Sequence, residues 1–238
     1  KLYLARLKEY DPALKCVVSL TEELALRQAE DADLALSAGL PRGPLHGIPW
    51  VAKDLIAYPG YRTTWGAAPF RGQTLDVKAT VADRIDRGGG VLAAKVTLGA
   101  LAMGDVWFGG MTRNPWNVRQ GSSGSSAGTA AAVAAGCAGY GWPSPRPLQE
   151  LRVGVFENAT PEPVRRVLAD LGVRLVPFRL PAGLPVDALQ LILTVEASAA
   201  FDDLTRAGTN EGIGSWPGTF RRGRFVPAVD YLRAQRVR

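Results

Sequence analysis

The chain has 238 residues, of which 47% are hydrophobic, and this is enough apolar material for one substantial core. Its 28 basic and 22 acidic residues give a net charge of +6, but the basic residues are scattered, so no nucleic-acid partner is expected. The N-terminal KLYLARLKEYD is amphipathic and unlike a signal peptide. The longest run of small apolar residues is too short to cross a bilayer, so no membrane partner is expected either.

Two residue types are scarce, and their scarcity narrows the chemistry. Cys16 and Cys137 lie in no metal-binding or redox spacing, which excludes a disulfide framework and makes a reducing, cytoplasmic location the expectation. We expect neither a metal ion nor a cofactor. His46 is the single histidine, and both Ser-His-Asp and Cys-His catalysis would depend on it. A histidine-based mechanism is therefore disfavoured.

The N-terminal half alternates between helical and strand-like patterns. Apolar periodicity and glycine stops predict two helices within 1–38, a strand over 47–56, a helix over 79–87, a strand over 91–95 and a helix over 129–138. Lys53 and Asp54 end the first strand. The last helix consists of small residues, which would let it lie very close to neighbouring backbone.

The C-terminal half continues the alternation. Its patterns predict strands over 152–156 and 173–178 and helices over 161–171, 186–204 and 225–236. This order favours an α/β fold with a mixed β-sheet core covered by α-helices on both faces. We expect one domain over 1–238, with segments of a longer parent protein missing near residues 141 and 210, where loops join without a regular element.

The most informative segment is QGSSGSSAG at 120–128, which places four serines and three glycines directly before the small-residue helix. Glycine permits unusual backbone angles, and serines at a helix N-terminus cap the helix or present hydroxyls to a ligand. A flexible linker is the alternative interpretation. Trp116 on one side and a buried-looking helix on the other disfavour it.

Lys53 is the second informative residue, at the end of the apolar strand in LHGIPWVAKD. An isolated lysine in this position is commonly a surface side chain whose stem alone is buried. A lysine buried beside hydroxyls has a lowered pKa instead, and it then acts as a base near neutral pH.

Together these segments resemble the amidase-signature family. The matching pieces are GPLHGIPWVAKD at 43–54, GGGVLAAKVTLG at 88–99, FGGMTRNPWN at 108–117 and QGSSGSSAGTAAAVAAG at 120–136. Four separated blocks in the same order make the resemblance specific, and it covers most of residues 1–140. The family's activity implies hydrolysis of a small-molecule carboxamide at its C–N bond through an acyl-enzyme.

The resemblance also implies a triad of two serines and a lysine. Lys53 matches the catalytic lysine, and Ser122 matches the bridging serine that the family holds after a cis peptide bond. The nucleophile is expected in a D-x-G-G-S-like block, which this sequence does not contain; Ser144, in WPSPRP, lacks the glycine turn and is not assigned. Met103, between two matching blocks, is a candidate for substrate binding at the acyl group.

Three other interpretations stay open at this stage. The chain is also compatible with the amidase-fold subunit of an amidotransferase, which releases ammonia from glutamine for a partner subunit. A catalytically inactive binding subunit is a second alternative, and a homodimer is compatible with either. The third is the nucleophile elbow of an α/β-hydrolase, G-x-S-x-G, with Ser126 as nucleophile and His46 as the only histidine available.

Overall fold

The computed structural model describes residues 1–138, 147–157, 160–179, 183 and 186–237. It shows a mixed α/β fold, which confirms the predicted fold class. The chain forms two compact units, the first made of Lys1–Tyr140 and Ala197–Phe225 and the second of Gly141–Glu196 and Val226–Arg238. The predicted interruption near residue 141 lies outside the described residues.

A three-stranded sheet is the centre of the first unit. Its strands are β1 (Val17–Leu20), β2 (Pro49–Lys53) and β3 (Val91–Val96). β3 lies in the middle, antiparallel to β1 and parallel to β2. All six residues of β3 are buried, so both of its faces are covered. Its sequence, VLAAKV, is the nearly continuous apolar run that such a central strand requires.

Four helices accompany this sheet: α1 (Leu2–Leu14), α2 (Glu22–Ser37), α3 (Thr80–Arg87) and α4 (Ala127–Ala134). Leu4, Leu7 and Leu14 of α1 enter one apolar core with Ala131 and Ala132 of α4. Burying such leucines contributes about 1.5–3 kcal/mol each. The packing of α1 and α4 in a shared core therefore ties the two ends of this part of the chain together.

The segment between α1 and α2 corrects the expectation of helices alone over residues 1–38. Lys15 adopts a left-handed conformation with φ 50°, and this ends α1. Val17 to Leu20 then pair with β3 as strand β1. Valine favours a strand because its branched Cβ packs well on a pleated surface. The strand is short, and amphipathic helices on both sides masked its pattern.

The small-residue helix α4 lies directly on the backbone of the sheet, as its composition predicts. A Cβ added at Gly128 would lie 2.4 Å from the amide nitrogen of Thr97 and 2.6 Å from the carbonyl oxygen of Cys16. The Gly128 amide itself donates to the carbonyl of Thr97. The helix spans 127–134, so it begins earlier and ends earlier than predicted.

Two short hairpins precede α4 in the chain. They consist of β4 (Val106–Trp107) with β5 (Gly110–Met111) and β6 (Arg113–Asn114) with β7 (Asn117–Gly121). β7 ends at the first residue of the serine-rich loop. Residues 122–126 then run to the start of α4, and we call them the serine loop.

The second unit contains a strand–helix–strand repeat. Its elements are β8 (Arg152–Phe156), α5 (Glu162–Asp170) and β9 (Arg174–Phe178), and the helix α6 (Val186–Ala200) follows. β8 and β9 are parallel, and the rings of Phe156 and Phe178 lie 4.2 Å apart. These elements agree with the predicted strands and helix over 152–178.

Three further helices complete the described chain: α7 (Asp202–Arg206), α8 (Trp216–Gly223) and α9 (Ala228–Val237). The predicted long helix over 186–204 is therefore wrong at its end, because the helix breaks at Phe201. Trp216 and Phe220 of α8 form an aromatic core with Trp65. At the suspected join near 210, the Gly212 carbonyl accepts a hydrogen bond from the Ala68 amide.

Both cysteines are free and buried in the first unit. Burial raises the pKa of the Cys16 thiol well above its usual range, and the nearby Asp11 carboxylate adds to this effect. Burial also raises the pKa of the Cys137 thiol. In the part of the chain that the structure describes, no helix has the length and apolar character needed to cross a membrane.

The close approach of α4 to the sheet gives a stability prediction. Gly128→Ala should lower the free energy of unfolding by about 1–3 kcal/mol, because the added methyl group meets backbone atoms that cannot move aside. Ala130→Ser also adds one heavy atom to α4, at an exposed position, and should cost less than about 1 kcal/mol. Urea denaturation measures both. Equal midpoints for the two variants would contradict the packing described.

Candidate active site

Lys53 is the last residue of β2 and pairs in register with Val96 of β3. Its Nζ lies 2.9 Å from Ser125 Oγ and 3.0 Å from Ser126 Oγ, so the amine meets the serine loop. Desolvation by the surrounding protein lowers the pKa of Lys53 below its ordinary value. A lower pKa increases the fraction of uncharged amine near neutral pH, and only the uncharged amine accepts a proton.

The serine loop is held by its backbone rather than by its hydroxyl groups. The Ser122 amide donates to the Thr112 carbonyl at 2.9 Å, and the Ser123 amide donates to Asp105 Oδ2 at 3.0 Å. Gly124 packs against the neighbouring turn so tightly that an added Cβ would lie 1.8 Å from the Gly104 carbonyl oxygen. Only glycine is compatible with this contact.

Ser122 does not contact Lys53 in this structure. Its Oγ donates to the carbonyls of Ser123, at 3.2 Å, and Ala127, at 3.3 Å. Ser123 has a left-handed backbone (φ 64°) and turns the chain between Ser122 and Ser125. The cis peptide bond lies between Gly124 and Ser125, not before Ser122. The expected direct contact of Ser122 with Lys53 is thus made by Ser125 and Ser126 instead, and the bridging role of Ser122 stays a prediction.

Met103 follows a short 3-10 turn (Ala100–Ala102) and is 46% exposed. Its carbonyl oxygen would lie 2.0 Å from a Cβ added at Gly99, and the next residue, Gly104, supports Gly124 of the serine loop. Met103 is therefore adjacent in sequence to the residue that supports the loop. A contact between Met103 and a substrate stays a prediction.

A buried ion pair that was not anticipated from the sequence lies beside Lys53. Lys95 Nζ is 2.7 Å from Asp54 Oδ1, and both side chains are fully buried. Lys95 also donates to the Arg62 carbonyl and to Thr63 Oγ1. Desolvation lowers the pKa of Lys95, while the charge of Asp54 opposes that effect. A charge at this depth requires such a full set of partners.

This ion pair fixes the end of β2. The Asp54 amide donates to the Val96 carbonyl at 2.9 Å, and its carboxylate accepts hydrogen bonds from the amide and the hydroxyl of Thr64. Since Asp54 directly follows Lys53, the backbone that carries the candidate base is anchored. The sequence signal was a lysine inside the otherwise apolar VLAAKV, which has no place in a buried strand without an acidic partner.

His46 is occupied away from the serine loop. One ring nitrogen, Nε2, lies 2.9 Å from the Ala32 carbonyl oxygen, and the other, Nδ1, accepts a hydrogen bond from the Arg42 amide. Both nitrogens are thus engaged with backbone groups. The alternative of an α/β-hydrolase elbow therefore lacks its base.

The arrangement of lysine and serines agrees with the comparison to protein families. The model of the family described as Amidase matches residues 1–144, which is more than half of the chain. The chain belongs to the amidase family. The matched residues include β2, β3, the serine loop and α4.

Relatives of this amidase include the same subunit of glutamyl-tRNA(Gln) amidotransferase from two bacteria. The protein from Synechococcus sp. (strain JA-3-3Ab) is 40% identical over 136 residues, which are 56% of this chain and 27% of the relative. That from Pseudomonas fluorescens (strain Pf0-1) is 40% identical over 139 residues, 57% of this chain and 28% of the relative. The match thus spans little more than a quarter of the length of these relatives.

Solved structures show the same fold. The native peptide amidase from Stenotrophomonas maltophilia matches with a TM-score of 0.70 and 21% identity, over 98% of this chain and 73% of that protein. A vestigial protein complex that reveals the origins of an s-triazine catabolic enzyme matches with a TM-score of 0.77 and 21% identity, over 99% and 71%. At this identity the likeness shows the fold alone.

The buried ion pair gives a second stability prediction. Lys95→Met should lower the free energy of unfolding by about 3–5 kcal/mol, because it leaves the Asp54 carboxylate buried without its cation. Adding Asp54→Asn should recover part of the loss, since the amide oxygen still accepts from Thr64. Arg87→Met breaks the exposed pair with Asp83 and should cost less than about 1 kcal/mol. Denaturant titrations that rank Lys95→Met with Arg87→Met would contradict this.

Proposed function

We propose that this amidase cleaves a carboxamide C–N bond by transferring the acyl group to a serine, with Lys53 as the general base. The observation that carries the proposal is the pair of contacts from Lys53 Nζ to Ser125 Oγ and Ser126 Oγ. A base must lie within hydrogen-bond distance of the proton that it removes, and both hydroxyls satisfy this condition. The lowered pKa of Lys53 supports the same role.

The proton transfer runs from a serine hydroxyl to the uncharged amine of Lys53. The activated oxygen attacks the amide carbonyl, and backbone N–H groups hold the resulting oxyanion. Lys53 then returns the proton to the departing nitrogen, which leaves as ammonia or an amine. Water releases the acyl group by the same steps in the reverse sense, with Lys53 again as base.

Two settings for this chemistry are compatible with the chain. A free amidase acting on a small-molecule carboxamide is the first, and family membership supports it. The second is an amidotransferase subunit that releases ammonia from glutamine for a partner subunit, and the 40% identity to a glutamyl-tRNA(Gln) amidotransferase subunit favours it. A partner subunit or a second copy of the chain belongs to this proposal. The two free buried thiols support a reducing, cytoplasmic location.

An assay of ammonia release from simple carboxamides and from glutamine tests the proposal. The rate should increase with pH and level off above the pKa of Lys53, at a value below 10.5, because burial favours the uncharged base. Lys53→Ala should lower kcat by about 10²–10⁴-fold. Lys8→Ala, which removes an exposed lysine paired with Glu22, is the control and should leave kcat unchanged. A normal kcat for Lys53→Ala would exclude Lys53 as the base.

Two serines compete for the bridging role, and paired variants separate them. Ser125→Ala removes the hydroxyl that lies 2.9 Å from Lys53 and should lower kcat strongly with KM little changed. Ser122→Ala removes a hydroxyl that bonds only to backbone carbonyls here and should have the smaller effect. If Ser122→Ala instead lowers kcat more than Ser125→Ala, the assignment based on the family resemblance is correct.

A further inference from the structure

We propose that Ser126 is the nucleophile of this amidase, forming with Lys53 a serine–lysine pair inside the serine loop. This inference rests on the proposed function and names the atom that receives the acyl group. Its basis is the position of Ser126, whose Oγ lies 3.0 Å from Lys53 Nζ at the start of α4.

Ser126 is the more accessible of the two serines that contact Lys53. It is exposed, whereas Ser125 is half-buried. A nucleophile has to reach a carbonyl carbon that arrives from solvent, so exposure favours Ser126. Ser125 is then left to orient the amine from the other side.

The Ser126 hydroxyl is also free of the structural duty that its position normally imposes. Ser126 is the N-cap residue of α4, where serine commonly accepts a hydrogen bond from the backbone two or three residues on. It makes no such capping bond here, and its hydroxyl bonds to Lys53 instead. The helix gives up one of its common stabilising contacts, and the site gains an oriented hydroxyl.

Backbone groups suited to an oxyanion lie at the same point. The amides of Ser126 and Ala127 donate no hydrogen bond to any group within the described residues. They stand at the N-terminus of α4, where the helix dipole favours negative charge. An oxyanion hole built from the amides of the nucleophile and of the next residue requires this arrangement.

The hydrogen-bonding capacity of Lys53 is consistent with both serine contacts. An uncharged amine has two N–H donors and one lone pair. One N–H donates to Ser125 Oγ, and the lone pair accepts the proton of the Ser126 hydroxyl. The protonated amine instead donates to both oxygens, so the same geometry serves before and after the transfer.

The reaction balances with these groups. As Ser126 Oγ bonds to the carbonyl carbon, its proton passes to Lys53 Nζ, and the electron pair of the C=O bond moves to the oxygen. The oxyanion collapses, the C–N bond breaks, and Lys53 gives its proton to the nitrogen. Water then attacks the ester and loses a proton to Lys53, which returns it to Ser126 Oγ as the carboxylic acid leaves.

Fluorophosphonate labelling followed by peptide mapping tests the assignment on the intact chain. The label should attach to Ser126, disappear in Ser126→Ala and in Lys53→Met, and persist in Ser123→Ala, a neighbouring serine of the loop. Modification of Ser125 or Ser122, with amide cleavage intact, would overturn the assignment and leave the proposed amidase activity standing. Absence of any label together with a normal rate of ammonia release in Lys53→Met would refute both.

A second measurement needs no turnover. Ser126→Cys should react with iodoacetamide at neutral pH about tenfold faster than Ser123→Cys, because a neighbouring lysine ammonium stabilises the thiolate. Adding Lys53→Met to Ser126→Cys should remove this advantage. Equal alkylation rates for Ser126→Cys with and without Lys53→Met would show that Lys53 does not activate position 126, and the proposal would be wrong.

Discussion

The ion pair between Lys95 and Asp54 is the interaction on which the site depends. Two charges without solvent exposure are tolerated only when each has a complete set of partners, and here those partners come from β3 and from residues 62–64. The pair thus joins the end of β2 to the middle of the sheet. Lys53, one residue earlier, takes its position from that connection. Such a pair adds little net stability in general, but it strongly penalises any other arrangement of these strands.

The second constraint is close backbone contact. Gly128 sets α4 against Thr97 and Cys16, and Gly124 sets the serine loop against Gly104. These contacts bring the loop to the end of β2, where the lysine arrives. The hydroxyl groups therefore face the amine because two backbones meet, and not because the hydroxyls hold the loop in place. Side chains in this region can serve chemistry because glycines perform the packing.

Much of this architecture could be predicted from the sequence. The strand that ends at Lys53 and the small-residue helix both follow from local pattern, and the four matching blocks indicate the family. Strand β1 was missed because four residues between two helices carry too little periodicity to register. The partner of Lys53 could not be chosen from spacing, since four serines lie within five residues. The left-handed turn at Ser123 decides which of them meets the amine. Lys95 was visible as an anomaly, but its partner depends on strand register.

The burial of both cysteines has a practical consequence for work on this chain. Thiolate is the reactive form of cysteine, and burial suppresses it at Cys16 and Cys137 alike. The folded protein is therefore nearly silent toward thiol reagents, while the unfolded chain exposes two reactive groups. Uptake of a thiol dye reports loss of the fold directly, and any reporter cysteine placed on the surface is read against an almost empty background.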